Sequence, residues 1–308
     1  MKHTLGPDVW KPCGGGARVQ ISADIQKATI FFGVGDPPNY GGTGFLLTYR
    51  GWSWLVTARH VAESLSDNPY WIRGNWGEPV HNDMTGARWH YHPDDNVDVA
   101  VAPYFARSGG VGNIPQDAIL TDSDRPFYNV ELGNFTYTIG LFRLLPGNLR
   151  ALTVVHTGHI ARIPDTDEPL GSAGKKGCAS YLVQAPHLSG LSGSPVFVRR
   201  SHFLTAPDYL EETKVAAGGV ALMGLWSGGY YGSPGSEYGL SASDKVPIGF
   251  GIVIPSERIV ETMDDHLEKN LPGPSDEVLA EPDSGFPAKA KGDDVLRKML
   301  TTLPKPKA

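Results

Sequence analysis

The chain has 308 residues, enough for one large or two small domains, and 40% of them are hydrophobic, so a sizeable core is within reach. Its formal charge is −6, from 27 basic and 33 acidic residues, and no basic excess exists to offset a phosphate backbone, so nucleic acid is excluded as the expected partner. No run of about 18 apolar residues occurs, and Met1–Pro12 has no apolar stretch of the signal-peptide kind, so the expectation is a soluble, cytoplasmic protein without a membrane span. Cys13 and Cys178 are too few for a secreted disulfide scaffold, and whether they pair is left open.

Gly (38) and Pro (25) make up about a fifth of the chain, as many tight turns between short strands would require. Ala28–Val34 is β-branched and aromatic and ends at Gly35-Asp36-Pro37-Pro38. Thr43–Thr48 and Trp52–Thr57 read as a hairpin joined at Tyr49-Arg50-Gly51. Further strands are expected at Tyr70–Arg73, Ala87–Tyr91, Val97–Ala102, Asn134–Leu144 and Leu152–His156. Ser180–Gln184, Pro195–Arg199, Val220–Trp226 and Pro247–Ile254 complete the set. Such spacing argues for an all-β barrel or sandwich over alternating βαβ units. Helix is expected late, at Arg258–Lys269, where Ile259, Val260, Met263 and Leu267 share one face. Leu271–Lys291 reads as a linker, and Asp293–Leu303 as a short tail helix with an apolar stripe. That stripe docks on its own domain or offers a handle to a regulatory partner.

Three segments carry chemistry. In Gly190-Leu191-Ser192-Gly193-Ser194-Pro195, glycines flank a serine on a tight turn before an apolar strand. Such a turn aims backbone N–H groups at one point, as acyl transfer requires, although by itself it is equally an ordinary turn. In Val56-Thr57-Ala58-Arg59-His60, a histidine follows a strand through small residues; with ten histidines in the chain, it carries little weight alone. In Asn96-Val97-Asp98-Val99-Ala100-Val101, an acid interrupts an apolar run, a costly placement unless the carboxylate is paired. Asp94 and Asp95 sit in the polar stretch after Pro93 and read as turn residues.

Together these segments resemble the trypsin-like (chymotrypsin-fold) serine peptidases of bacterial type, over residues 26–262. The resemblance implies two six-stranded antiparallel β-barrels with a C-terminal helix. The expected division is an N-terminal extension (1–25), a first barrel (26–127), a second barrel with its helix (128–270) and a flexible tail (271–308). It further implies a triad of His60, Asp98 and Ser192 hydrolysing peptide bonds through an acyl-enzyme, with Gly190, Ser192 and Gly193 at the oxyanion hole. An α/β-hydrolase elbow is disfavoured, because position 194 is Ser where that motif has Gly and the order here is His, acid, Ser.

By the same resemblance Trp226, Ser227, Gly228 and Gly251 wall the substrate cleft, and Pro186 is the floor of the pocket for the residue before the scissile bond. With neither an acid at 186 nor a histidine at 226, a small or apolar side chain is expected there. Leu191 replaces the aspartate that pairs with a freed N-terminus in relatives matured by cleavage, so no such activation is expected. His90-x-His92 with Asp94 shows no fourth ligand, so neither metal nor cofactor is expected. Two alternatives stand beside the peptidase: a lapsed protease fold that only captures peptides, and an esterase using the same triad.

Overall fold

The computed structural model describes residues 21–35, 38–65, 70–74, 82–83, 88–105, 112–145, 147, 150–171, 176–186, 188–200, 219–232 and 246–270. Cys13, Lys175, His187, the linker at 271–291 and the tail stripe at 293–303 lie outside them. Residues to Leu267 form one compact body, and Glu268–Ala308 a second unit of which only the end of a helix is described. No helix among the described residues is long and apolar enough to cross a membrane.

A short helix α1 (Ala23–Ala28), capped by the Ser22 hydroxyl on Ile25 N–H, leads into the first sheet. Its strands are β1 (Thr29–Val34), β2 (Asn39–Tyr49), β3 (Trp52–Thr57), β4 (Tyr70–Gly74), β5 (Asn82–Asp83), β6 (His90–Tyr91) and β7 (Ala100–Pro103). The β2–β3 turn puts Arg50 and Gly51 at φ 49° and 78°, the doubly positive pairing that tight hairpins demand. Every pairing is antiparallel, in the order β5-β4-β1-β2-β3-β7-β6. Phe45, Leu47, Trp54 and Val56 are fully buried in this sheet.

After a short helix α3 (Asp124–Phe127), six strands form a closed antiparallel barrel. They are β8 (Phe135–Leu141), β9 (Thr153–Arg162), β10 (Tyr181–Gln184), β11 (Pro195–Arg199), β12 (Val220–Gly232) and β13 (Val246–Pro255). Val183, Leu191, Val196, Met223, Trp226 and Val253 fill its interior. The expectation of two six-stranded barrels is therefore met by one closed barrel and a seven-stranded sheet. Among the described residues the sheet ends on β5 and β6, two-residue strands that pair on one side only.

Helix α4 (Ser256–Asn270) leaves the barrel with Ile259, Met263 and Leu267 buried along one face. It lies against the first sheet. The Tyr49 hydroxyl donates to Asp264 at 3.1 Å, His90 Nε2 meets Asp265 at 2.6 Å, and His92 Nε2 meets Glu261 at 3.0 Å. His266 packs edge-on to Trp54. His90 and His92 thus face different carboxylates on α4, and no cluster suited to a metal occurs among the described residues.

Candidate active site

His60 is the second residue of helix α2 (Arg59–Leu65), an element the sequence reading did not foresee. Val61, Ala62 and Leu65 bury one side of α2 and leave His60 exposed at the cleft. Arg59 bridges Glu63 on α2 at 2.8 Å and Asp95 in the following loop at 2.7 Å. That loop carries Asp98. The expected strand Val97–Ala102 begins only at Ala100, because Val99 N–H donates to Val97 O at 3.0 Å and closes a tight turn at Asp98. The turn delivers the carboxylate to the imidazole: His60 Nδ1 lies 2.8 Å from Asp98 Oδ2, and His60 N–H donates to Oδ1 at 3.0 Å.

Ser227 completes this group by donating its hydroxyl to Asp98 Oδ2 at 2.5 Å. Burial alone would raise the Asp98 pKa. The hydrogen bond and charge of His60, with the Ser227 hydroxyl, bring it below its ordinary value instead. A carboxylate so held fixes the ring with a proton on Nδ1 and leaves Nε2 as the basic nitrogen.

Ser192 shares the cleft with His60, Asp98 and Ser227. At rest its hydroxyl donates to Ser227 O at 3.2 Å and makes no hydrogen bond to His60. Gly190 and Gly193 on either side take φ values of 103° and 85°, and a Cβ at Gly193 would collide with Thr43 O. Gly193 N–H is donated to Trp226 O at 2.7 Å, so it is not available to an oxyanion, contrary to expectation. The N–H groups of Gly190 and Ser192 have no acceptor among the described residues. Leu191, between them, turns into the apolar barrel interior and is 1% exposed.

Thr43 on β2 holds this turn from the other half of the body, a role with no signal in sequence. Its N–H donates to Ser192 O at 3.0 Å and its hydroxyl to Gly190 O at 2.6 Å, and the same hydroxyl accepts Leu141 N–H at 3.0 Å. Thr43→Val keeps the shape but leaves the buried Gly190 carbonyl and Leu141 N–H unpaired. A loss of about 1–3 kcal/mol in urea unfolding is expected, with Thr43→Ser close to wild type.

Two cavities meet at His60, Ser192 and Tyr231. The larger, of about 650 Å³, is bordered by Ser227, Gly228 and Gly229 and by Arg59, Glu63 and Lys176. Among the described residues β11 pairs with β12 no further than Leu225, so on this side Ser227–Gly229 present a backbone edge with no strand against it, met by the Ser192 hydroxyl at Ser227 O. The smaller, of about 320 Å³, shares His60 and Ser192 with the larger and is bordered by Gly41, Gly42, Ser189 and Gly190. Trp226 is fully buried, and its ring lies flat against the space over Gly251 that a Cβ would take. Pro186 is exposed and borders neither cavity. Of the five residues expected to bind substrate, only Ser227 and Gly228 line the cleft. Trp226 N–H and O are both tied to the Ser192 turn, at Ser194 O and Gly193 N–H.

Cys178 is a free, buried thiol 3.2 Å from the Ser180 hydroxyl, and burial raises its pKa.

No protein-family model and no curated protein matches the chain. Among solved structures, it is similar to the MamO protease domain from Magnetospirillum magneticum at 14% identity and a TM-score of 0.49, covering 77% of this chain and 96% of that one. An inactive serine-to-alanine mutant of Rv3671c from M. tuberculosis H37Rv matches at 14% identity and a TM-score of 0.46, covering 82% and 91%.

Proposed function

We propose that the protein is a serine endopeptidase of the trypsin-like, chymotrypsin-fold kind, with His60, Asp98 and Ser192 as its triad. The observation that carries this reading is the chain of hydrogen bonds from Ser227 through Asp98 to His60, beside a serine flanked by two unengaged N–H groups. Ser192 Oγ attacks the scissile carbonyl carbon while His60 Nε2 takes the hydroxyl proton. The carbonyl oxygen becomes an anion between Gly190 N–H and Ser192 N–H. As the tetrahedral carbon collapses, the C–N bond breaks and His60 returns the proton to the departing amine. Water, deprotonated by the same nitrogen, then cleaves the acyl ester and restores Ser192. The resting bond from Ser192 to Ser227 O is exchanged for one to His60 once substrate fills the cleft, since catalytic contacts often tighten only in the complex.

Substrate residues before the scissile bond run along the backbone edge at Ser227–Gly229 in the larger cavity. Leu170, Ile252 and Ile254 line that cavity, which favours an apolar residue immediately before that bond.

A fluorophosphonate probe tests the reading. It is expected to label the wild type and not Ser192→Ala, and a peptide library is expected to show cleavage after Ala, Val or Leu at least about tenfold faster than after Lys or Glu. No labelling would leave a peptide-capturing module in its place; labelling with hydrolysis of simple esters alone would favour an esterase.

A further inference from the structure

The two cavities that meet at Ser192 differ in chemistry. The larger carries both signs of charge, on Arg59, Glu63, Asp95 and Lys176. The smaller is bordered by Phe32, Val34, Val61, Leu65 and Leu188, with glycines, Asn39, serines, His60 and Tyr231 between them, and no carboxylate, lysine or arginine lines it among the described residues. Phe32, Val61 and Leu65 are buried side chains that turn one side toward this space. An ammonium entering it would exchange water for hydrocarbon with no carboxylate among the described lining residues, and the guanidinium beside it, on Arg143, is already tied to the Ser189 hydroxyl at 3.2 Å; an apolar side chain would gain by the same exchange.

We propose that this second cavity receives the side chain that follows the scissile bond, and that it makes the enzyme selective for a bulky apolar residue there: Leu, Ile, Met or Phe. The inference rests on the peptidase reading above. Its geometric basis is that the cavity borders His60, Gly190 and Ser192 but none of Ser227, Gly228 and Gly229. With the acyl part of the substrate on the Ser227–Gly229 edge and the carbonyl oxygen at Gly190, the departing amine points past His60 into this space. A volume of about 320 Å³ suits one large side chain and not an extended segment.

Gly41 and Gly42 form the wall contributed by β2, and they set the pocket's size differently. A Cβ on Gly42 would press against the Val61 side chain, so that wall is already in van der Waals contact. A Cβ on Gly41, which borders the cavity, would meet no described residue within 4 Å, so a larger side chain has room there. Gly41 is thereby a specificity-determining position, and Gly41→Leu would narrow the pocket without displacing a described neighbour.

The test is a set of peptides identical except at the residue after the scissile bond, cleaved by the full-length chain. Relative kcat/KM is expected to be about ten- to a hundred-fold higher for Leu or Phe than for Asp, Lys or Gly. In Gly41→Leu the ratio of Leu to Gly at that position should fall at least about fivefold. Because this is a ratio within one protein, it is insensitive to any change in the folded fraction. Cleavage with a flat or charge-preferring profile would overturn the proposal and leave the peptidase standing. A wild type that neither cleaves peptides nor takes the fluorophosphonate would overturn both.

Discussion

Leu191→Asp should destabilise the protein by at least about 3 kcal/mol and abolish labelling of Ser192, because it buries a carboxylate with nothing to pair with it. Leu191 is 1% exposed among Val183, Val196, Met223 and Trp226, and Gly140 is close enough that a Cβ there would crowd its side chain. An apolar peg therefore seats the Ser192 turn, which on the reading proposed above requires no ion pair to a new N-terminus. Leu191→Ala should cost about 2–5 kcal/mol by leaving a void, and Leu191→Met about 1 kcal/mol, both read from urea unfolding midpoints. The corollary is that the uncleaved, full-length chain reacts with the fluorophosphonate probe. Labelling that appeared only after the N-terminus was trimmed would show that the peg is not sufficient.

Asp98→Asn should leave the fold in place and lower kcat about ten-thousand-fold, the scale expected when the imidazole is held in the wrong tautomer. An amide facing His60 Nδ1 can donate its N–H, which moves the ring proton to Nε2 and removes the base that Ser192 requires. The folded Asp98 has a pKa below its ordinary value, so its ionisation adds stability above about pH 4, and that increment disappears as pH falls through the folded value. The part of the variant's deficit that comes from lost charge should accordingly be present at pH 7 and vanish in strong acid. Urea midpoints measured across that range would show the two curves converging. Parallel curves would mean that Asp98 is not held as described.

The parts of this site that sequence reveals are those built from residues adjacent in the chain. Strands β3 and β11 begin and end where their β-branched and aromatic runs do, and the serine turn is announced by its glycines. Asp98 shows where local pattern misleads. Val97 and Val99 are buried as an alternating strand would have them, yet a backbone bond between those two residues makes the segment a turn. Helix α2 is short, and its seven residues carry no capping signal that separates it from a loop. Thr43 is an ordinary strand residue until Ser192, Gly190 and Leu141 are brought to it from far along the chain. The open ends of the first sheet are equally non-local, since edges depend on which strands find partners.

The placement of helix α4 also bears on how the protein is made. Its contacts to Tyr49, Trp54, His90 and His92 cover a sheet synthesised long before it. At typical translation rates of about 5–20 residues per second, roughly 10–40 s separate the emergence of His60 from that of the helix that covers its sheet. During that interval His60 and Asp98 sit on a sheet that still lacks the cover of α4. On the reading proposed above, a chain interrupted before Ser192 carries a base and its carboxylate but no hydrolytic capacity.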